Sequence, residues 1–182
     1  MQAGTAYYYA TNHPARPDDA DPDLYRNGKR LSFNSDAGEH DPCYVDGELV
    51  FWSDDRSGSL SRGTKNLWMT AQVGGSWSTP TLLPAPVNKP DSDSWQPHLT
   101  SNGVLYFSSD RDGTLSIYAS TRGGPNFWGE PTRVVWPAPA ALVVAVAEPS
   151  LTADGRELYF CVLFRYPDGS HDLDVAFTRR ID

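Results

Sequence analysis

Residues 95–107 read Trp95-Gln96-Pro97-His98-Leu99-Thr100-Ser101-Asn102-Gly103-Val104-Leu105-Tyr106-Phe107. A short mixed stretch leads into Asn-Gly, and a stretch of aliphatic and aromatic residues follows it. Asn-Gly between two such stretches is the strongest short-range signal for a β-hairpin. The stretch therefore predicts two antiparallel strands joined by a tight turn.

The same pattern occurs twice more, which predicts a repeat architecture. The first copy reads His40-Asp41-Pro42-Cys43-Tyr44-Val45-Asp46-Gly47-Glu48-Leu49-Val50-Phe51, and the last reads Glu148-Pro149-Ser150-Leu151-Thr152-Ala153-Asp154-Gly155-Arg156-Glu157-Leu158-Tyr159-Phe160. The repeat prolines are separated by 55 and 52 residues, and the closing phenylalanines by 56 and 53. A nearly fixed period of about 50 residues is typical of stacked structural units.

Each unit contains signals for further strands. Third strands are predicted at Asn66–Thr70, Ser116–Ser120 and Asp174–Thr178. Fourth strands are predicted at Thr79–Leu83 and Pro131–Val135 in the first two units. Four antiparallel strands per repeat form the blade of a β-propeller. The sequence therefore predicts an all-β fold with about three four-stranded blades.

The second unit resembles the WD40-like repeat called PD40, which is found in TolB-type propellers. The resemblance lies in Val87-Asn88, Trp95-Gln96-Pro97, Leu105-Tyr106-Phe107-Ser108-Ser109-Asp110-Arg111-Asp112-Gly113 and Ile117-Tyr118-Ala119-Ser120. The first unit keeps the pattern at Phe51-Trp52-Ser53-Asp54-Asp55-Arg56, whereas the third has the apolar Cys161-Val162-Leu163-Phe164 in place of the polar turn. The resemblance implies a binding or scaffold module that docks partners at one face. Larger propellers with PD40 repeats resemble polysaccharide lyases and glycosidases, so an enzyme assembled from several blades is the alternative.

The first 36 residues are predicted to form an N-terminal arm, followed by blades at about 37–87, 88–140 and 141–182. Residues 7–12 resemble a third strand and 30–35 a fourth strand with its exit, while 14–22 are predicted to form an exposed loop. The last unit ends after its third strand, so the arm is expected to supply its missing strands. Three blades are fewer than the roughly four to eight of a closed ring. The sequence therefore predicts a homodimer in which each arm completes the other copy's last blade.

Residues around the repeat prolines are candidate ligand-binding residues. First strands of propeller blades line the central channel, so these side chains are expected to converge on one funnel for a protein, peptide or sugar, with Trp95 as a stacking platform. The alternative is that an acid or amide before proline bonds nearby backbone groups. The candidates are His40, Asp41, Trp95, Gln96, His98 and Glu148.

Two turn segments and one apolar segment have separate predictions. Residues 53–56 and 109–113 are expected to form structural turns with a surface ion pair. Residues 140–147 are apolar where the preceding repeat is polar. This segment is expected to form either an additional strand or an interface with a second subunit, through Leu142, Val143, Val144 and Val146.

Composition and motifs restrict the function. The 182 residues carry 23 acidic and 15 basic side chains, a net charge of −8, which disfavours nucleic acid and anionic membranes as partners. The longest apolar run, 138–147, is too short to span a bilayer.

Cys43 and Cys161 are far apart, so neither a disulfide framework nor a zinc site is predicted. No common hydrolase, zincin or nucleotide motif occurs, so no catalytic residue, metal or cofactor is predicted. The start lacks a leader pattern, which favours the cytoplasm, or the periplasm or secretion if a leader was removed.

Overall fold

The computed structural model describes residues 6–12, 21–60, 63–138 and 142–179, whose regular structure is entirely β-strand. The strands are β1 (Tyr8–Thr11), β2 (Asp23–Arg26), β3 (Lys29–Arg30), β4 (His40–Val45), β5 (Glu48–Ser53), β6 (Asn66–Val73), β7 (Ser76–Trp77), β8 (Thr81–Leu82), β9 (Ser94–Leu99), β10 (Val104–Ser109), β11 (Ser116–Gly124), β12 (Phe127–Trp128), β13 (Thr132–Val135), β14 (Val143–Leu151), β15 (Glu157–Arg165) and β16 (His171–Arg179). They form four antiparallel sheets: blade 1 (β1–β3), blade 2 (β4–β8), blade 3 (β9–β13) and blade 4 (β14–β16). The prediction of an all-β fold built from propeller blades is confirmed.

Blades 2 and 3 follow the repeat closely. In blade 2, β4 pairs with β5, β5 with β6, and the two short strands β7 and β8 share the fourth position. Asp46 and Gly47 join β4 to β5 with φ values of 49° and 89°. Positive φ at both positions is characteristic of the type I′ turn, which matches the twist of paired strands. The Asp-Gly signal in the sequence thus sets the register of the hairpin.

Blade 1 is made from the segment predicted as an arm. Asn34 brackets Leu24 of β2, accepting from its amide at 3.0 Å and donating to its carbonyl at 2.9 Å. Asn88 brackets Leu67 of β6 in the same way, with both distances 2.9 Å. Strand β2 is therefore the third strand of blade 1, and β1, which pairs with it, is the second.

This assignment corrects the prediction that residues 7–12 form a third strand, because they occupy the second position. In the single chain the arm strands pair with each other. The completion of the last blade by the arm of a second copy stays a prediction, as do the domain boundaries. The predicted loop at 14–22 lies mostly outside the described residues.

Blade 4 contains the apolar segment. Strand β14 begins at Val143, and β14 and β15 each have nine residues where the corresponding strands of blade 2 have six. Val146 is 3% exposed and, with the partly buried Val143, packs against blade 3. Leu142 and Val144 are 46% and 40% exposed. The described part of the segment thus lengthens the first strand of blade 4. Only its Leu142 and Val144 side chains are substantially exposed to solvent.

Consecutive blades share apolar clusters with a common design. A third-strand residue of one blade packs with two second-strand residues of the next. We call the face of a blade that carries this third-strand residue its trailing face. The face that carries the two second-strand residues is its leading face. The packed sets are Leu24 with Leu49 and Phe51, Leu67 with Leu105 and Phe107, and Ile117 with Leu158 and Phe160.

Arginines at the turns between second and third strands strengthen the first two junctions. Arg56 Nη1 lies 2.6 Å from Glu39 Oε1, with the two side chains 11% and 0% exposed, and Arg56 Nη2 donates to the Phe33 carbonyl at 2.9 Å. Arg111 donates to the carbonyls of Pro86 and Val87 in the same way. The ion pair expected at the surface is therefore buried at Arg56, because the guanidinium group binds the exit of the preceding blade.

Candidate binding site at the blade ends

The residue before each repeat proline has an unusual backbone conformation. Asp41, Gln96 and Glu148 have φ values of 47°, 50° and 58°, in the left-handed region that non-glycine residues seldom adopt. Strand pairing is irregular at each of these positions. A β-bulge of this kind leaves one residue out of the ladder and redirects its side chain. We call these three residues the bulge layer.

The three residues of the bulge layer lie on neighbouring strands, because β4 lies against β9 and β9 against β14. Gln96 Nε2 donates to Glu148 Oε1 at 3.2 Å, and Glu148 N donates to Gln96 Oε1 at 3.3 Å. Glu148 N also donates to Ser108 Oγ at 3.0 Å. An amide from one blade thus binds both the side chain and the backbone of the acid in the next.

His40 and Asp41 are held by Trp52 of the paired strand. The imidazole stacks on the indole, with ring centroids 3.9 Å apart and planes 6° from parallel. Trp52 Nε1 donates to Asp41 Oδ2 at 2.7 Å. Burial lowers the pKa of His40, although the carboxylates of Asp41, Asp54 and Asp21 act in the opposite direction.

Lys65 links the indoles of blades 2 and 3. Its ammonium lies 4.4 Å from the Trp95 ring centroid and 6.0 Å from that of Trp52. Asp93 Oδ2 lies 3.0 Å from the same ammonium. A cation over an aromatic face is attracted by the ring quadrupole. We call Trp52 and Trp95 the indole pair.

Cys161 lies next to the bulge layer but is a poor nucleophile. Its thiol donates to Glu148 Oε2 at 3.0 Å. Burial, together with this hydrogen bond and the negative charge of Glu148, raises the pKa of Cys161 to about 11. The thiol is therefore protonated at neutral pH, whereas nucleophilic attack needs the thiolate.

Five of the six predicted ligand-binding residues, all except His98, belong to the network of contacts that joins the bulge layer and the indole pair. His98 is placed further along β9, opposite Tyr106, and burial lowers its pKa. Sequence reasoning missed the roles of Trp52, Lys65 and Asp93. Trp52 stood in the repeat pattern, and its place directly after the repeat phenylalanine could have identified it. Lys65 and Asp93 directly precede the strands β6 and β9, a position that carries no distinctive signal.

The surroundings of the bulge layer are acidic. Asp41 and Glu148 are exposed, and Asp21 and Asp54 lie close enough to His40 to affect its titration. Within the described ranges, no cluster of three or more histidine, cysteine or acidic side chains is arranged to hold a metal ion. The same ranges contain no helix of the length and apolar character needed to cross a membrane.

Fold and site together define a protein built from β-propeller blades with a polar, aromatic blade end. Searches found no matching family model and no matching curated protein. Among solved structures, the chain is similar to the tricorn protease, with a TM-score of 0.53 and 15% identity over 85% of this chain and 14% of that one. It is also similar to a puromycin-hydrolysing peptidase from Mycobacterium tuberculosis, with a TM-score of 0.51 and 16% identity over 94% of this chain and 27% of that one. At this identity the likeness shows the fold alone, and the chain spans only a small part of either protein.

Proposed function

We propose that this protein is a non-enzymatic binding module of the PD40 and TolB type, which recognises its ligand at the bulge layer. The observation that carries the proposal is the left-handed backbone at Asp41, Gln96 and Glu148. Such a conformation costs on the order of 1–3 kcal/mol at each residue and concentrates at functional sites. Its presence in three consecutive blades supports a shared task for the redirected side chains.

The charges favour a cationic ligand. Asp41 and Glu148 are exposed carboxylates on blades 2 and 4, and the half-buried Gln96 lies between them on blade 3. The chain's own Lys65 shows how an ammonium group is accommodated here, over the Trp95 ring and against Asp93. The exposed carboxylates of Asp41 and Glu148 would offer a lysine or arginine side chain of a bound peptide the same kind of charged partner beside the indole pair. We therefore infer a basic peptide segment as the ligand class.

The hydrogen bonds of the two acids give them a structural role in addition to the proposed binding role. Hydrolysis of a glycosidic bond commonly uses two carboxyl groups that flank the bond. Here Asp41 accepts from Trp52, and Glu148 is bonded to Gln96 and Cys161, so both acids also hold neighbouring strands together. The enzyme assembled from several blades stays the alternative, and an activity screen with polysaccharides would test it.

Titration of tryptophan fluorescence with acetyl-tetralysine amide tests the proposal, because the indole pair lies beside the bulge layer. We expect saturable binding, with little response to tetraglutamate or cellotetraose. Saturable binding of cellotetraose in place of tetralysine would overturn the choice of a peptide ligand.

Charge-neutralising variants locate the binding site. Asp41→Asn and Glu148→Gln keep a hydrogen-bond acceptor and remove a charge. Each should weaken tetralysine binding by up to about fivefold, because an exposed ion pair contributes about 0.2–1 kcal/mol. Asp46→Asn is the matched control, since it removes one exposed charge at the opposite end of β4, also at a positive φ. If this control weakens binding equally, attraction to the net negative charge explains the affinity and the proposed site is wrong.

A further inference from the structure

In the part of the chain that the structure describes, no blade covers the trailing face of blade 4. Val175 lies opposite Cys161, the residue after Phe160, just as Leu67 lies opposite Trp52 and Ile117 opposite Ser108. Leu67 and Ile117 are each 0% exposed, whereas Val175 is 72% exposed. Val175 therefore occupies a junction position without a following blade against it.

The uncovered surface extends along the blade. Leu173, Val175 and Phe177 alternate on β16 and are 60%, 72% and 56% exposed. Phe177 stacks on Tyr159 of β15, with ring centroids 5.6 Å apart. A stripe of neighbouring exposed apolar side chains marks an interaction surface more often than single exposed residues do.

The chain itself carries the complementary surface. In β1, Ala10 lies opposite Leu24, so Tyr9 stands where Phe51 stands in blade 2, and Tyr7 where Leu49 stands. Leu49 and Phe51 are buried by blade 1, but Tyr7 and Tyr9 are 69% and 39% exposed. Tyr25, which lies opposite Tyr9 on the same face, is 7% exposed. Within the described residues, blade 1 thus has no preceding blade, and the exposed part of its leading face is the edge formed by Tyr7 and Tyr9.

We infer that the occupant of both faces is a second copy of this chain. The trailing face of blade 4 in one copy packs on the leading face of blade 1 in the other, and the reciprocal contact forms at the other end. Each contact repeats the residue positions of the three internal junctions. Two copies of four blades give eight, within the roughly four to eight blades of closed propellers. The contact is heterologous, but the ring closes after two copies and exposes no further face.

Sedimentation velocity across the micromolar range is the first experiment. The native chain of 20.1 kDa should sediment as a species of twice that mass. Val175→Asp and Tyr9→Asp alter opposite ends, and each should give the monomer because both junctions then contain a charge. Val73→Asp is the matched control: Val73 is 69% exposed but lies in blade 2, so this variant should stay dimeric. Circular dichroism verifies that each variant is folded.

Mixing the two variants tests the head-to-tail arrangement. In a mixed pair, both charges meet at one junction, and the other junction has two native faces. An equimolar mixture of Val175→Asp and Tyr9→Asp should therefore recover a species of dimer mass, which neither variant forms alone. A native chain that stays monomeric at the highest concentration overturns the proposal. So does a Tyr9→Asp variant that stays dimeric, since the trailing faces would then pair with each other.

Discussion

Leu67 in blade 2 and Val175 in blade 4 hold the same position in their blades but differ in surroundings. Each lies on the third strand, opposite the residue that follows the repeat phenylalanine. Leu67 is 0% exposed beneath the second strand of blade 3, and Val175 is 72% exposed. The comparison shows that a propeller blade does not bury its own apolar face. The next blade does, so the stability of each blade depends on its neighbour.

Among the tests of this comparison, removal of blade 1 should have the largest effect on stability. Deletion of residues 1–36 removes Leu24, Leu31 and Phe33 and uncovers the leading face of blade 2. Each large buried side chain contributes about 1.5–3 kcal/mol, and a whole domain has only about 5–15 kcal/mol of stability. We expect the shortened chain to lose its cooperative thermal transition, as followed by circular dichroism. An unchanged melting temperature would show that blade 2 does not need the preceding blade.

Loss of the buried ion pair at the first junction should have the next largest effect on stability. Arg56→Met leaves the carboxylate of Glu39 buried without its guanidinium partner, which typically costs about 3–5 kcal/mol. Arg179, on the exposed third strand of blade 4, pairs with Glu157 of the second strand. Arg179→Met should leave the free energy of unfolding unchanged. Urea unfolding of both variants measures the difference. Equal losses would mean that burial at a junction does not decide the strength of these pairs.

Truncation of Leu67 and Val175 themselves tests the comparison directly. Leu67→Ala should cost about 2–5 kcal/mol, the usual range for a buried leucine. Val175→Ala should change the stability of the monomer by less than about 0.5 kcal/mol, as is usual for surface positions. Urea midpoints at a protein concentration that gives the monomer provide the measurement. A large loss for Val175→Ala under these conditions would mean that the face is covered within one chain.

The smallest expected effect is a pH dependence from the first strand of blade 3. Burial lowers the pKa of His98, so the unfolded chain binds a proton more readily than the native one. This contribution to stability is complete above the unfolded pKa of about 6.5 and is lost as the pH falls through the lower native value. His40 acts in the same direction, whereas Glu39, whose pKa burial raises, acts in the opposite one.

The difference between native protein and His98→Gln isolates this contribution. The loss of stability between pH 7.5 and 5 should be smaller in the variant than in the native chain. His171→Gln, at an exposed position on β16, is the control for the same chemical change. Parallel pH profiles for the native chain and His98→Gln would contradict the assigned role of His98.

The sequence predicted the blades well because their signals are local. Asp46-Gly47 determines a turn, and the alternation around Phe51 determines which side of a strand is apolar. The number of blades was harder to predict, because blade 1 lacks the repeat proline and the hairpin into the second strand that mark the other three blades in the sequence. Its equivalence rests on the paired hydrogen bonds of Asn34 to Leu24, which only the folded backbone reveals.

The candidate site was predictable only in part for a related reason. The prolines marked Asp41, Gln96 and Glu148 by spacing, but their left-handed backbone and the contact between Gln96 and Glu148 depend on how blades sit beside each other. Lys65 reaches the indole of the next blade across the junction, and no spacing within one repeat encodes such a contact.

The sharing of cores between blades also determines how the molecule opens. Nearest-neighbour coupling makes the chain a one-dimensional array, in which an inner unit is held from two sides and an end unit from one. Local opening then starts at the ends, and amide hydrogens exchange with solvent in that order. In the monomer, the amides of β5, β6 and β10 should exchange slowest, and those of β16, whose side chains are almost all exposed, should exchange first. A blade added at either end of the series should therefore give the largest increase in protection from hydrogen exchange.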